Sequence, residues 1–188
     1  MKKLKIEIYA DGANIEGIKQ AKKNNIIKGF TTNPTLMKNS GVEDYKKFAL
    51  EALQIVDGSP ISFEVFSDDL DEMYKQATTI ASWGNNISVK IPITNTLGKS
   101  TSELVSILSK EKVFCNVTAI FTEDQVDEMI DASASNCAMI LSIFAGRIAD
   151  TGIDPIPSMK KYVEKVSSKD NIKILWASPR EALNILQA

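Results

Sequence analysis

The stretch NNISVKIPITN, residues 85–95, has the pattern of a buried β-strand with a lysine in its middle. Strand side chains point alternately to two faces, so Ile87, Val89 and Ile91 share one face and Lys90 lies on the other. Lysine is rarely buried unless it is paired. The stretch alone therefore allows two interpretations, a solvated lysine on a half-exposed strand or a lysine placed inside the protein for chemistry.

The composition of the 188-residue chain is that of a globular protein, with 44% hydrophobic and 24% charged residues. This length fits one domain with a sizeable core, and no linker-like stretch divides it, so we expect a single domain over residues 1–188. A net charge of −2 without a long basic run disfavours a nucleic-acid partner.

The sequence predicts a cytoplasmic protein without a membrane partner. The first residues, MKKLKIEIYADG, lack the continuous apolar segment of a signal peptide, and no run reaches the length of a membrane span. Cys115 and Cys137 stand beside apolar residues and are expected to be small buried side chains. Because the chain has no histidine, the usual zinc site is not expected, and proton transfer falls to carboxylates, lysine, tyrosine or water.

Strand-like and helix-like runs alternate along the chain. The predicted strands cover residues 6–10, 27–31, 61–66, 87–91, 113–118, 138–143 and 172–177. The predicted helices cover residues 14–24, 45–56, 70–83, 100–111, 122–134 and 156–168. Alternation on this scale is typical of βαβ units around a parallel sheet.

One polar residue recurs near the ends of four consecutive strands. Glu64, Lys90, Asn116 and Ser142 follow one another at intervals of 26 residues. A parallel strand covered on both faces should be almost wholly apolar, whereas in a closed parallel barrel such residues meet at the carboxyl-terminal mouth, where active sites lie. A half-exposed sheet with these residues in water is the alternative. We favour an α/β fold of the (β/α)8 TIM-barrel type.

Seven strands are visible, so the eighth βα unit is apparently missing from this chain. A typical barrel of about 250 residues uses roughly 30 residues per unit, and an open barrel would expose strand edges. Truncation, a dispensable last unit and a gap filled by a neighbouring subunit all fit this pattern. We expect a homo-oligomer.

Six segments of the chain resemble the transaldolase family, in particular its small-subunit branch of transaldolases and fructose-6-phosphate aldolases. They are YADGANIEGIKQA, FTTNPTL, SVKIPIT, CNVTAIFTEDQ, SIFAGRIADTG and ASPREA, and they occur in order between residues 6 and 186. TTNP and VKIP are the most specific parts. The resemblance implies a (β/α)8 barrel that uses a lysine Schiff base and needs neither metal nor organic cofactor.

The resemblance identifies Lys90 as the nucleophile. A Schiff base needs an unprotonated amine, whereas a free lysine has a pKa near ~10.4. Burial disfavours the ammonium form of a lysine, so a lysine inside a barrel is a plausible nucleophile for a ketone. A lysine that reaches into water from an edge strand is the alternative.

The resemblance also implies three further catalytic residues. Asp11 would take the proton of the substrate C4 hydroxyl, and Glu64 with Thr118 would hold the water that moves protons during Schiff-base formation. Asp11 could instead cap the first helix, although Asn14 is available for that purpose. Thr118 could simply be a good strand former, whereas Glu64 would otherwise be a costly lone carboxylate in an apolar strand.

The substrate-binding residues follow from the same resemblance. Asn33, Asn116 and Ser142 would hold hydroxyls of the dihydroxyacetone fragment, and Arg147, Ser178 and Arg180 would bind phosphate. Phe144 would also be a substrate-binding residue. Asn33-Pro34 could equally be turn chemistry, and a single arginine is more often a solvated helix end. Pro179 stands where the family commonly has an aromatic residue, and Gly12 where it usually has threonine.

The reaction implied is transfer of a dihydroxyacetone unit from fructose 6-phosphate or sedoheptulose 7-phosphate to erythrose 4-phosphate or glyceraldehyde 3-phosphate. The related fructose-6-phosphate aldolases carry glutamine and tyrosine at the equivalents of Glu64 and Phe144, so this chain resembles the transferases. Two alternatives stay open: aldolase-type cleavage of fructose 6-phosphate, and a truncated barrel that binds sugar phosphates without turnover.

Overall fold

Strands and helices alternate through residues 5–188, the part of the chain that the computed structural model describes. The strands are β1 (Ile8–Asp11), β2 (Ile27–Thr31), β3 (Ile61–Glu64), β4 (Ile87–Pro92), β5 (Cys115–Ile120), β6 (Met139–Ile143) and β7 (Ile172–Trp176). The helices are α1 (Ile15–Lys22), α2 (Pro34–Asn39), α3 (Tyr45–Val56), α4 (Leu70–Ala81), α5 (Ser102–Lys110), α6 (Glu123–Ala132), α7 (Ala145–Asp150), α8 (Ile156–Val166) and α9 (Asn184–Gln187).

The seven strands form one parallel sheet in chain order, from β1 at one edge to β7 at the other. Parallel strands in sequential order, each followed by at least one helix, are the arrangement of a (β/α) barrel. Within the described residues the sheet curls as a half-barrel of seven strands. The predicted fold class is therefore confirmed, with seven βα units in the described chain.

The helix-facing side of the strands forms the apolar core. Phe63, Val89, Ile91, Val117 and Leu141 are all fully buried there. The helices turn one apolar stripe toward this layer, as α4 does with residues three and four apart. The two-residue alternation inferred for residues 87–91 is thus present, and Lys90 lies on the other side of the sheet.

Several element boundaries differ from the sequence expectation. The fifth strand runs to Ile120 rather than residue 118, and its pairing with β6 becomes irregular where Ala119 has a φ of 62°. The third strand ends at Glu64 instead of residue 66. Helices α2 and α7 were not predicted, because six residues are too few to show an apolar helical period.

Both cysteines are buried free thiols, each 1% exposed, as expected. Burial raises the pKa of both thiols. No helix among the described residues combines the length and apolar character that a membrane crossing requires. The cytoplasmic location and the self-association expected above stay predictions.

Candidate active site

Three polar residues of the 26-residue repeat lie side by side in the sheet. Glu64 pairs in register with Lys90, and Lys90 pairs with Asn116. Register partners in a parallel sheet point to the same face. Ser142 joins them through its hydroxyl, which donates to Asn116 Oδ1 at 2.6 Å. The gathering of these four residues was expected from their spacing.

Lys90 is buried, with only 8% of its surface exposed. Its Nζ lies 2.9 Å from Glu64 Oε2 and donates to the main-chain oxygen of Thr32 at 3.1 Å. The side chains of Lys90 and Glu64 are 11% and 18% exposed, so this ion pair is largely shielded from water. Of the two interpretations of residues 85–95, the interior lysine is confirmed.

Asn116 is held at both ends of its amide. Nδ2 donates to Ser62 Oγ at 3.1 Å, while Oδ1 accepts from Ser142. All three side chains are buried, and the two hydrogen bonds fix the direction of the amide. Thr118 stands two residues further along β5, is also buried, and pairs in register with Pro92.

Sequence reasoning missed two residues of this region. Ser62 precedes Glu64 by two positions, so the period of two places it on the same face and was the signal that would have found it. Thr32 contributes through its carbonyl oxygen, which no side-chain pattern reveals. Its own hydroxyl is buried without a hydrogen-bond partner among the described residues.

Asp11 ends β1 and accepts a hydrogen bond from the hydroxyl of Thr31, its register partner, at 2.8 Å. The side chain of Asn14, not Asp11, caps α1 by accepting from the amide of Gly17 at 2.9 Å. The capping alternative for Asp11 is therefore wrong. Within residues 5–188, no hydrogen bond or ion pair joins Asp11 to Lys90.

Asn33 caps α2, because its Oδ1 accepts from the amide of Leu36 at 2.9 Å. The sequence allowed a local role in a turn, and the structure gives Asn33 a local role as a helix cap instead. The capping bond uses only the amide oxygen, so the Nδ2 group remains chemically suited to donate to a hydroxyl. Both functions are compatible in one side chain.

A second group of candidates lies around α7. Phe144 immediately precedes this helix, and the Arg147 guanidinium lies 4.9 Å from the centre of its ring. Arg180 donates from Nε to both carboxylate oxygens of Asp150, at 3.0 and 3.1 Å, and also contacts it through Nη2. Hydrogen bonds from Arg180 lower the pKa of Asp150, with a smaller effect of the Arg147 charge. Both arginines therefore lie near one carboxylate.

The segment that carries Ser178 and Arg180 packs closely on α7. A Cβ atom on Gly146 would lie 1.6 Å from the Ser178 carbonyl oxygen, so a side chain at position 146 would force the two segments apart. Ser178 itself has a φ of 57°, in the left-handed region. The residues predicted for phosphate thus fall on two adjoining segments, at the ends of β6 and β7.

The arrangement combines a shielded amine beside a carboxylate, a fixed amide with two hydroxyls, and two guanidinium groups. An amine of this kind can form a covalent bond to a carbonyl carbon, and guanidinium groups suit phosphate oxygens. Residues 5–188 contain no group of three or more His, Cys, Asp or Glu side chains placed to hold a metal ion.

Comparison with known proteins gives one consistent family. The family model described as "Transaldolase/Fructose-6-phosphate aldolase" matches residues 8–188. A "Probable transaldolase" from Thermoanaerobacter sp. (strain X514) is 37% identical over 184 residues, covering 97% of this chain and 81% of the relative. One of the same name from Dehalococcoides mccartyi is 35% identical over 97% of this chain and 82% of the relative.

Two solved structures share the fold at low sequence identity. The 3-dehydroquinate dehydratase from Geobacillus kaustophilus superposes with a TM-score of 0.57 at 10% identity, over 92% of this chain and 72% of that one. The type I 3-dehydroquinate dehydratase from Clostridium difficile gives a TM-score of 0.55 at 13% identity, over 89% and 74% of the two chains. At this identity the likeness concerns the fold alone.

Proposed function

Since the chain belongs to the transaldolase/fructose-6-phosphate aldolase family, we propose that it is a transaldolase. It transfers a dihydroxyacetone unit from a ketose phosphate to an aldose phosphate through a Schiff base on Lys90. The observation that carries this proposal is the buried Lys90 amine, 2.9 Å from Glu64 Oε2 on the face of the sheet opposite the apolar core.

The first step is formation of the Schiff base. The Glu64 carboxylate takes a proton from the Lys90 ammonium group, and the free amine attacks C2 of the ketose. The resulting carbinolamine loses its hydroxyl as water after Glu64 returns the proton, which leaves an iminium ion. Support comes from the short Lys90–Glu64 contact, because proton transfer requires hydrogen-bond reach. Thr118, buried on the same strand as Asn116, holds the water that relays the proton.

The second step breaks the C3–C4 bond of the substrate. Asp11 removes the proton of the C4 hydroxyl, the aldose phosphate leaves with a new carbonyl at C4, and the bonding electrons move into the iminium. The product on Lys90 is an enamine. This enamine adds through C3 to the aldehyde of a second aldose phosphate, and the steps then run in reverse. The position of Asp11 at the end of β1, outside the cap of α1, supports its role.

The substrate is held at two places. Asn33, Asn116 and Ser142 bind hydroxyls of the three-carbon fragment, which suits the buried amide and hydroxyl groups. Arg147, Ser178 and Arg180 bind the phosphate, with Phe144 against the sugar chain. The two guanidinium groups at the ends of β6 and β7 support this assignment, because guanidinium groups donate charge-assisted hydrogen bonds to phosphate oxygens.

Aldolase-type cleavage of fructose 6-phosphate is the competing activity, in which a proton rather than an aldehyde captures the enamine. Glu64 and Phe144 favour the transferase, because the related aldolases carry glutamine and tyrosine at these positions. A barrel without turnover is disfavoured by the Lys90–Glu64 pair itself. A buried ion pair contributes little net stability. The burial of Lys90 and Glu64 is therefore better explained by a catalytic role than by a contribution to folding stability.

Covalent trapping tests the proposal. The protein is incubated with fructose 6-phosphate, reduced with borohydride and mapped by mass spectrometry, and we expect a reduced three-carbon adduct on Lys90. Lys173→Met is the matched control, because Lys173 is another lysine of the same sheet that pairs with a glutamate, 2.8 Å from Glu7. An adduct that is absent, or that persists in Lys90→Met, contradicts the Schiff base.

Addition of erythrose 4-phosphate separates the two activities. A transaldolase forms sedoheptulose 7-phosphate faster than it releases free dihydroxyacetone, and an aldolase does the opposite. Both products are measured in the same reaction by chromatography. Equal release of dihydroxyacetone with and without the acceptor would show that the chain is an aldolase.

A further inference from the structure

The main-chain carbonyl of Glu64 has a partner from outside the sheet. Tyr45, the first residue of α3, donates its hydroxyl hydrogen to this oxygen at 2.9 Å. The carboxylate of the same glutamate contacts Lys90 Nζ. The Tyr45 hydroxyl therefore binds the backbone of Glu64, and the side chain of Glu64 contacts Lys90, the proposed nucleophile.

The sheet itself leaves this carbonyl without a donor. The amide of Val65 donates toward β4, to Lys90 O at 3.2 Å. In a trans peptide the N–H and C=O groups point in opposite directions, so the Glu64 carbonyl points toward β2. The pairing of β2 with β3 ends at Thr31 and Ser62, two residues before Glu64. Tyr45 supplies the hydrogen bond that a longer β2 would have supplied.

Three aromatic rings fix the direction of the Tyr45 side chain. Phe63, Phe66 and Trp83 meet its ring edge to face, at centroid distances of 6.1, 4.8 and 5.4 Å. Such contacts restrict ring orientation as well as burying apolar area. Burial, with a smaller effect of the Glu64 charge, raises the pKa of the Tyr45 hydroxyl, so it stays a donor throughout the neutral range.

We propose that Tyr45 is a positioning residue that keeps the Glu64 carboxylate in contact with Lys90 while the Schiff base forms. The inference rests on the proposed function. A carboxylate that moves a proton must stay within hydrogen-bond reach of the amine, and its reach depends on where the end of β3 lies. Tyr45 acts through Glu64 and does not itself meet the substrate carbonyl.

Tyr45→Phe tests the inference, because it removes the hydroxyl and keeps the aromatic cluster. Tyr74→Phe is the matched control, since the Tyr74 hydroxyl bonds the exposed Glu111 carboxylate at 3.0 Å on another part of the surface. We expect Tyr45→Phe to lower kcat for transfer from fructose 6-phosphate by about fivefold, the rate equivalent of one ordinary hydrogen bond. KM stays unchanged, and Tyr74→Phe changes neither constant.

A double-mutant cycle separates positioning from a general structural effect. In a Glu64→Gln background, Tyr45→Phe should lose most of its effect on kcat, because the group that it positions can no longer accept the proton. An equal loss of kcat in both backgrounds, or no loss in the wild type, overturns the inference. Both results are read on protein whose fold is checked by circular dichroism.

Amide hydrogen exchange gives a measurement that does not depend on activity. The Val65 amide belongs to the same peptide group as the Glu64 carbonyl, so its exchange should be about fivefold faster in Tyr45→Phe and unchanged in Tyr74→Phe. If the wild type forms no Lys90 adduct, the proposed function fails by itself. Unchanged Val65 exchange would overturn the positioning role in either case.

Discussion

Two lysines of the same sheet each pair with a glutamate, and the two pairs differ almost only in their surroundings. Lys90 lies 2.9 Å from Glu64 and Lys173 lies 2.8 Å from Glu7. The first pair has side chains that are 11% and 18% exposed, whereas those of the second are 63% and 51% exposed. The two pairs have the same ionisable groups and nearly the same nitrogen–oxygen distance, so they differ mainly in their exposure to water.

The position of each strand explains this difference. Lys90, Asn116, Ile140 and Lys173 follow one another in register across β4, β5, β6 and β7, so the two lysines share one face of the sheet. Lys90 has neighbouring strands on both sides, while β7 is an edge strand in the described chain. Strand position, more than the ion pair, decides which lysine can act as a shielded amine.

The largest difference is expected in activity. Glu64→Gln should lower kcat for dihydroxyacetone transfer by about 100-fold, the range of general acid–base catalysis. Glu7→Gln removes an equivalent charge from the exposed pair and should change kcat less than about twofold. Steady-state kinetics with fructose 6-phosphate and erythrose 4-phosphate check both variants. Similar rates for the two variants would show that burial of the pair has no bearing on turnover.

The next difference concerns stability. Lys90→Met leaves Glu64 without its cation in a shielded site, so we expect it to lower the free energy of unfolding by about 3 kcal/mol, the lower end of the range for broken buried pairs. Lys90→Met/Glu64→Leu should recover most of this loss. Urea unfolding measures all three proteins. If Lys90→Met lowers the free energy of unfolding no more than Lys173→Met does, the shielded pair is no more sensitive to loss of its lysine than the exposed pair.

A smaller effect depends on pH. The hydrogen bond to Glu7 raises the pKa of Lys173, so its stabilisation is present below the unfolded value near ~10.4 and is lost as pH rises through the folded value. Because the pair is exposed, Lys173→Met should cost less than about 1 kcal/mol at pH 8. At pH 11, the free energies of unfolding of variant and wild type, measured with urea, should differ by less than at pH 8. A constant difference at both pH values would assign the effect to packing.

The smallest signal is expected from the two cysteines, of which Cys115 begins β5 and Cys137 precedes β6. Cys115 and Cys137 are buried and their thiol pKa values are raised, so little thiolate forms and reagents have no access. We expect no reaction with a disulfide reagent at pH 8 in the native protein, and reaction of both thiols in denaturant. Fast labelling of the native protein would mean that the helix layer opens readily.

The fold and the interior position of Lys90 could be predicted because both depend on periodic signals. The two-residue alternation placed Val89 and Ile91 in the core, and the 26-residue interval aligned Glu64, Lys90 and Asn116 in neighbouring strands. Short helices such as α2 and α7 escaped prediction, because fewer than two turns show no period. The roles of the site residues stay predictions, which the experiments above address.

Other features follow from contacts between distant segments. The choice between Asp11 and Asn14 as the α1 cap depended on backbone geometry, and local sequence allowed both. The pairing of Arg180 with Asp150 joins residues on separate βα units. No local pattern indicates that Tyr45 would reach the carbonyl of Glu64, nineteen positions along the chain.

The sequence by itself determined the order of the strands and of the longer helices, the apolar face of each strand and the polar residue near its end, because each follows from side chains a few positions apart. Only the tertiary structure decided that Lys90 pairs with Glu64, and that Lys173, on the same face of the sheet, is exposed and pairs with Glu7. That outcome depends on how many strands flank each lysine. A short stretch such as SVKIP is compatible with a solvated lysine and with a buried one. The strands that pair with it on either side decide between the two.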